Sequence, residues 1–317
     1  MLPIVIVNPK SASGATREKW SVIAADLRSH FGPFRVAFTK GPGDGVNLAR
    51  SYAESGTKLI IACGGDGTIN EIANGVLIAG GKTEIAVFPS GTGGDFRRSL
   101  ELPTSTRDVA RAIRTGKTCE IDVVKVTFTS NDGSPAERYF VNVSSFGLAA
   151  SIIDRVKSTG KLNWIPIDTI RGRASFALST LLEVIDIKPK QVLVSIDGEG
   201  ERPISTVNFC IANARYFGGG MMIAPNAKLA DGKFDVVNIG DISTARVMLN
   251  SYTLYRGTHL NLTEVRSRTA RLVTARAIDD SEIIRLEMDG ELPGRLPAKF
   301  EIIPQALKVR IPDPLAD

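Results

Sequence analysis

Residues 58–77 read KLIIACGGDGTINEIANGVL, and this stretch decides the fold. Leu59, Ile60, Ile61, Ala62 and Cys63 form a short continuous apolar run, the pattern of a strand covered on both faces of a parallel sheet. Ile69, Ile72, Ala73, Val76 and Leu77 then recur at helical spacing, which predicts a helix packed back onto that strand with Thr68 as its N-cap. Gly64, Gly65, Asp66, Gly67 and Thr68 connect the two. Glycine lets the backbone approach a ligand closely, and the first turn of a helix presents free N–H groups at its positive end. The segment therefore predicts a phosphate-binding loop. A plain strand-to-helix turn is the competing reading, but it requires neither the central Asp66 nor the polar Asn70 and Glu71 on the first helical turn.

The same alternation surrounds this unit on both sides. Ile4 to Val7 is a second apolar strand, followed by the polar loop Asn8, Pro9, Lys10, Ser11, Ala12, Ser13 and Gly14, and by a helix with Trp20, Ile23, Ala24 and Leu27 on one face. Phe34 to Phe38 predicts a strand ending at Thr39, and Asp44 can cap the helix that follows. Ile85 to Phe88 predicts another, closed by Ser90, Gly91, Thr92, Gly93, Gly94 and Asp95, with a helix from about Thr106 to Arg114. Four strand, loop and helix units make residues 1–120 a doubly wound, mostly parallel α/β domain. Ligands of such sheets sit beyond the carboxyl ends of the strands, which groups Asn8, Thr39, Asp66 and Thr92 around one crevice.

From Glu120 onward short alternating strands and hairpin turns dominate, predicting a largely antiparallel β-rich second domain over residues 121–317, the extreme C-terminus being a candidate for return to the first domain. Strands are expected at 192–196, 206–212, 234–239, 265–273, 283–288, 300–303 and 307–311, with helices near 149–157, 174–185 and 244–255. Gly218, Gly219 and Gly220 read either as a close approach to a ligand or as a glycine bulge. The mixed apolar and basic segment around Trp164 reads either as membrane-facing or as a buried loop.

A formal net charge of +5 favours anionic partners such as nucleotides or acidic lipid surfaces. Cys63, Cys119 and Cys210 are odd in number and far apart, so they read as reduced core residues. No apolar run approaches the roughly 18 to 20 residues needed to span a bilayer, and no leader is evident, so the expectation is a cytoplasmic protein with peripheral membrane contact at most. The triplets Gly81-Lys82-Thr83 and Gly116-Lys117-Thr118 lack the glycine a P-loop requires, and HRD and DFG signatures are absent. His30 and His259 are the only histidines, which argues against histidine-based triads and His-rich metal sites, and both read as surface or capping residues.

GGDGT with NEIANG, the upstream NPKSASG, the FPSGTGGDF loop, APNAKLADGKFDVV and the late MDGE together resemble the lipid kinases that include bacterial diacylglycerol kinases and the sphingosine and ceramide kinases. The resemblance runs through nearly the whole chain in the same order. GGDGT by itself is shared with NAD kinases and phosphofructokinase-like enzymes, which gives the first domain its expected fold. The family's GTxND is GTGGD here, so Gly94 stands where an Asn is usual.

The resemblance implies ATP in a crevice between the domains, contacted by Asn8, Pro9, Lys10, Ser11, Thr39, Gly64, Gly65, Asp66, Gly67, Thr68, Asn70, Glu71, Ser90, Gly91 and Thr92. It implies Mg²⁺ held by Asp231, with the carbonyls of Lys228 and Lys233. Hard oxygen ligands and retained water suit that ion. Two triplets offer a carboxylate for the attacking hydroxyl, Asp197-Gly198-Glu199 and Asp289-Gly290-Glu291. The first sits between alternating strands as a hairpin tip would, and the second is in a less hairpin-like context that matches the family's active-site DGE. Asp289 is expected as base, Glu291 as its alternative, and Asp66 as an organiser of phosphates or metal. The expected activity is transfer of the γ-phosphoryl group of ATP to a lipid hydroxyl, diacylglycerol first, at a membrane surface. Nucleic acid is not an expected partner, and a homodimer is one option. An NAD kinase-like enzyme and a catalytically silent nucleotide-sensing regulator are the alternatives.

Overall fold

The computed structural model of the chain describes residues 1–90, 94–159 and 188–313. It divides into two compact units, Met1–Val123 with Pro304–Asp317, and Val124–Ile303. The expected α/β first domain and antiparallel β-rich second domain are both present.

In the first unit β1 (Ile4–Val7), β2 (Arg35–Phe38), β3 (Leu59–Gly64) and β4 (Glu84–Pro89) lie parallel in the order β2-β1-β3-β4. The helices are α1 (Ala15–Asp26), α2 (Asp44–Glu54), α3 (Asp66–Ile78), the short α4 (Asp95–Ser99) and α5 (Thr106–Thr115). All of β1 and β3 is buried, as their unbroken apolar runs require. Val5, Val7, Ile61, Cys63, Ala86 and Phe88 share one core with Ile23, Leu27, Val109 and Ile113. The crossing of α2 with α3 depends on Gly75, where a Cβ would stand 2.4 Å from the Val46 carbonyl oxygen. Thr68 is not the N-cap of α3. The helix begins three residues earlier, with Gly65 extended (φ −90°, ψ −175°) as its cap, so Asp66 and Gly67 belong to the first turn.

The second unit begins within β5 (Lys117–Ser130) and continues through β6 (Pro135–Phe140), β7 (Val143–Gly147), α6 (Leu148–Thr159), β8 (Lys190–Ile196), β9 (Arg202–Thr206), β10 (Asn208–Ala212) and β11 (Phe234–Ile239). After α7 (Thr244–Arg256) come β12 (Val265–Ala270), β13 (Leu272–Ala277), β14 (Arg285–Met288) and β15 (Glu291–Ile311). One path of antiparallel neighbours runs β12-β11-β10-β7-β14-β15, and β13, β8 and β9 continue from β15. Phe140, Phe146, Phe209, Phe234 and Phe300 fill the core, the rings of Phe146 and Phe209 stacked with centroids 5.0 Å apart. Beyond Pro304 the end of β15 belongs to the first unit and lies parallel to β4, Val309 opposite Ile85.

Three expectations about strands are corrected. The single strand expected at 265–273 is two, because the N–H groups of Arg271 and Leu272 turn to the Asp197 carboxylate at 2.8 and 2.9 Å. The two strands expected at 300–311 are one, bent where Gln305 takes a positive φ of 51° and donates its N–H to Asp122. The late DGE triplet is as much a hairpin tip as the early one. Asp289 and Gly290, at φ 46° and 87°, form a two-residue turn that pairs Met288 with Glu291. His259 is also not a surface residue: it is buried, bonds the Ile223 carbonyl through Nε2 at 3.0 Å, and burial lowers its pKa. Gly218, Gly219 and Gly220 form a loop closed by paired backbone bonds between Phe217 and Met221. The Trp164 segment and the expected helix 174–185 lie outside the described residues.

Candidate active site

In the first unit the chain passes from β1 outward to β2, then returns to β3 and on to β4. The sheet therefore changes direction between β1 and β3, and ligands of doubly wound sheets bind at the carboxyl ends on either side of such a point. The loops there are tied together. Asn8, which follows β1, donates its amide to Thr68 Oγ1 in α3 at 3.0 Å, while its Oδ1 accepts the Lys10 N–H at 3.0 Å. Ser11 Oγ reaches the Asn8 carbonyl at 2.8 Å and Thr16 Oγ1 at 2.6 Å. Thr16 in turn bonds both the carbonyl and the hydroxyl of Ser90, after β4. One polar chain thus joins the ends of β1, β3 and β4.

Two details make this end of the sheet suited to an anion. The N–H groups of Asp66 and Gly67 lie in the first turn of α3, where no helical acceptor exists for them. Gly64 leaves no room for a side chain, a Cβ there standing 2.5 Å from the Thr68 side chain. Among Gly64, Gly65 and Gly67 none has a positive φ, so close approach, not unusual backbone conformation, accounts for glycine at Gly64. Unusual backbone occurs instead at Ala12 and Ser13, with φ of 52° and 55°. L-residues rarely adopt this conformation, and such strain concentrates where a loop serves a ligand.

Other residues expected around the nucleotide divide by what they already hold. Thr39 is buried and continues the sheet through its N–H to Val7, Pro9 is half-buried, and Lys10 is exposed beside Asn8. Asn70 is buried, with its side-chain and backbone oxygens taken by Asn74. Glu71 places its two oxygens on the N–H groups of Gly43 and Gly45, at 2.8 and 2.9 Å, and so caps α2. Asp66 does the same for α4, accepting the Asp95 and Phe96 N–H groups at 3.2 and 3.1 Å. Gly94, in the position where Asn is usual, takes the left-handed conformation as the N-cap of α4. Gly91 and Thr92 lie outside the described residues. Arg97, which the sequence reading passed over, is close enough to Asp66 to feel its charge, although burial, the larger influence, lowers its pKa.

In the second unit Asp289 is buried, and its carboxylate accepts three backbone N–H groups, Val141 on Oδ2 at 3.1 Å, and Asn142 and Val143 on Oδ1 at 3.1 and 3.0 Å. Glu291 is exposed at the start of β15. Between them the sequence reading missed Glu287, whose carboxyl is enclosed and bonded to the Gly290 N–H and to Ser145 Oγ, each at 2.7 Å. Burial, the larger cause, together with the charges of Asp289 and Glu291, pushes its pKa up to about 8. A Glu spaced two residues before a DG turn on the buried face of a strand is the signal that could have found it.

Asp231 is exposed, and the turn it forms with Gly232 brings the Lys233 N–H to its Oδ1 at 3.1 Å. Lys228 and Lys233 are exposed beside it. Burial, and then the charge of Asp231, raise the pKa of Asp235 to about 6. Two carboxylates in mutual repulsion form a hard-oxygen set that a divalent cation would relieve, so the residues fit Mg²⁺ in kind. Among the described residues no group of three or more His, Cys, Asp or Glu side chains is arranged to hold a metal, so backbone carbonyls and water would have to supply the remaining ligands.

Residues 3–126 match the family model of the diacylglycerol kinase catalytic domain, and residues 146–311 match that of the YegS C-terminal NAD kinase beta sandwich-like domain. The chain belongs to the diacylglycerol kinase and YegS-like lipid kinase family. It is accordingly an enzyme, a lipid kinase. A diacylglycerol kinase of Mycobacterium tuberculosis is 27% identical over 309 residues, 97% of this chain and 94% of that one. A diacylglycerol kinase of Bacillus subtilis is 28% identical over 281 residues, 87% of this chain and 84% of that one. The crystal structure of a diacylglycerol kinase from Bacillus anthracis superposes with a TM-score of 0.71 over 100% of this chain and 98% of that one, at 21% identity, and shares the fold. Among the described residues no helix of this lipid kinase is long and apolar enough to cross a membrane.

Proposed function

We propose that this lipid kinase transfers the γ-phosphoryl group of ATP, with Mg²⁺, to the free hydroxyl of diacylglycerol, which it meets by peripheral contact with a membrane surface. The observation that carries the reading is the Asn8 to Thr68 bond across the direction change of the sheet, in the part of the chain that matches a diacylglycerol kinase catalytic domain. Phosphates bound there would meet the first-turn N–H groups of α3, with Lys10 as a cation at the rim. Mg²⁺, held through Asp231, would neutralise charge on the transferred group. The acceptor hydroxyl is oriented by the DGE turn. Phosphoryl transfer passes through a loose transition state and depends more on position than on a strong base. A carboxylate fixed by three amides, as Asp289 is, suits orientation, and Glu291 is the second candidate.

The test is transfer of label from radioactive ATP in mixed micelles containing diacylglycerol, sphingosine, ceramide or phosphatidylglycerol, and in solution with NAD. Labelled phosphatidic acid is the expected product. Label in NAD alone would move the enzyme to the soluble-substrate reading, and label in another lipid alone would overturn the choice of acceptor.

A further inference from the structure

The turn at Asp289 and Gly290 is held from both ends. On one side the N–H groups of Val141, Asn142 and Val143 grip Asp289. On the other, Glu287 Oε1 accepts the Gly290 N–H at 2.7 Å and its Oε2 meets Ser145 Oγ at 2.7 Å, while Ser144 Oγ bonds the Glu287 carbonyl at 2.6 Å. Ser144 and Ser145 belong to β7, which pairs with β14 through Met288 opposite Ser144 and Glu287 opposite Ser145. The carboxyl of Glu287 therefore links the turn to the neighbouring strand by side-chain bonds in addition to the ladder.

We propose that Glu287 is a positioning residue of the phosphoryl-transfer site, fixing the turn that carries Asp289 and Glu291 by joining Gly290 to Ser145. The inference rests on the reading of the DGE turn as the place where the acceptor hydroxyl is oriented. Glu287 is too enclosed to touch substrate, at 4% exposure, so it acts through the turn. Among the described residues, the groups that face it carry no compensating positive charge. On the turn these are Asp289 and Glu291, on β10 the Cys210 thiol, and on β7 the hydroxyls of Ser144 and Ser145. Arg285, on its own strand, is exposed and engaged with Asp154 of α6. Burial first, and then these acidic neighbours, keep a proton on Glu287 at neutral pH. As the acid it still accepts from Gly290 through one oxygen, and its contact with Ser145 works in either direction, since a hydroxyl both donates and accepts. Loss of that proton sets a further buried negative charge beside Asp289, at the turn to which the proposed function assigns the acceptor hydroxyl.

The test is the pH dependence of kcat between pH 6.5 and 9.5 for the wild type, Glu287→Gln and Glu287→Ala, with the nucleotide KM measured alongside. Wild-type kcat should fall about tenfold per unit above pH 8, as for one essential protonated group. Glu287→Ala should lower kcat at neutral pH by about 10- to 100-fold with little change in nucleotide KM, the scale expected when a reacting group is misplaced. Glu287→Gln preserves both contacts without a titrating proton, so it should recover neutral-pH kcat to within about threefold of the wild type and lose the alkaline fall. An alkaline fall that persists in Glu287→Gln overturns the proposal even if Glu287→Ala cannot fold. A Glu287→Gln enzyme as impaired as Glu287→Ala overturns it as well. Turnover unchanged in both Asp289→Asn and Glu291→Gln would instead remove the DGE turn from the active site, a failure of the underlying reading that these profiles distinguish.

Discussion

Replacing Asp289 with Asn separates what this carboxylate holds from what it reacts with. Both of its oxygens are occupied, Oδ1 by Asn142 and Val143 and Oδ2 by Val141. An Asn side chain has one acceptor oxygen. In its better orientation that oxygen keeps the Asn142 and Val143 bonds, and the new NH₂ group then faces the Val141 N–H, donor against donor, at the former bonding distance of 3.1 Å. One bond to a charged acceptor is lost, two become neutral, and a buried donor is left unsatisfied. Together these changes should cost about 3 kcal/mol, since bonds to charged groups contribute about 1.5 to 3 kcal/mol and an unsatisfied buried group costs about 1 to 3.

Urea unfolding followed by circular dichroism reads that loss directly. With a slope near 3 kcal/mol per molar urea, the midpoint should fall by about 1 M. The paired control is Asp197→Asn. Asp197 has the same left-handed conformation, but a single oxygen, Oδ1, accepts both the Arg271 and Leu272 N–H groups. Asn retains that arrangement, so the midpoint should move by less than about 0.3 M, the shift for a loss of ~1 kcal/mol. An Asp289→Asn midpoint equal to that of the wild type would refute the two-oxygen clamp. Unchanged turnover in that variant would remove Asp289 from the reaction as well.

Three further outcomes follow from the geometry. Glu71→Ala should cost about 2 kcal/mol by uncapping α2 while leaving ATP affinity near normal; lost affinity at unchanged stability would return Glu71 to the nucleotide. Gly64→Ala should displace Thr68, break its bond to Asn8 and weaken ATP binding by about tenfold or more in a titration, a factor worth ~1.4 kcal/mol. Glu287 should also leave a mark on stability. Its folded pKa of about 8 is above the ordinary 4.5, so its contribution is complete below about pH 4.5 and disappears as pH rises through 8. The shift corresponds to at most about 5 kcal/mol, and urea midpoints of the wild type and Glu287→Gln should diverge over that window; parallel midpoints would contradict it.

The strand, turn and helix at 58–77 were legible because their signals are local. An unbroken apolar run specifies a strand buried on both faces, and 3.6-residue spacing specifies the helix that covers it. The beginning of α3 was misplaced by three residues because Thr68 has the chemistry of a cap, whereas its hydroxyl is bonded to Asn8, 60 positions away. What fixes the site is of this long-range kind throughout. Asp289 meets Val141 across 148 positions, Glu287 meets Ser145 across 142, and Asp66 holds the backbone of α4 across 29 and 30. Residue types can be chosen from a sequence by their chemistry. Whether Asp66 or Glu71 caps a neighbouring helix or faces a ligand depends on a partner that no local pattern names.

The two DG turns show how position decides between structure and chemistry. Asp197-Gly198 and Asp289-Gly290 share the dipeptide and the left-handed backbone, and each Asp gathers N–H groups from a neighbouring segment. Around the early turn the charges are exposed and paired, Glu199 with Arg268 and Glu201 with Arg276, so solvent screens them and they contribute little. Around the late turn Glu287 and Asp289 are buried, the first bonded to the Gly290 N–H and to Ser145 and the second to three backbone N–H groups. Burying carboxyl groups in a protein interior is costly unless they are hydrogen-bonded, as both of these are. Those bonds fix the carboxyl in place, and fixed position is what orienting an arriving hydroxyl requires. The enclosed and fixed Asp289, and not the DGE triplet as such, is the physical reason that the proposed function looks to the late turn and not to Asp197 and Glu199.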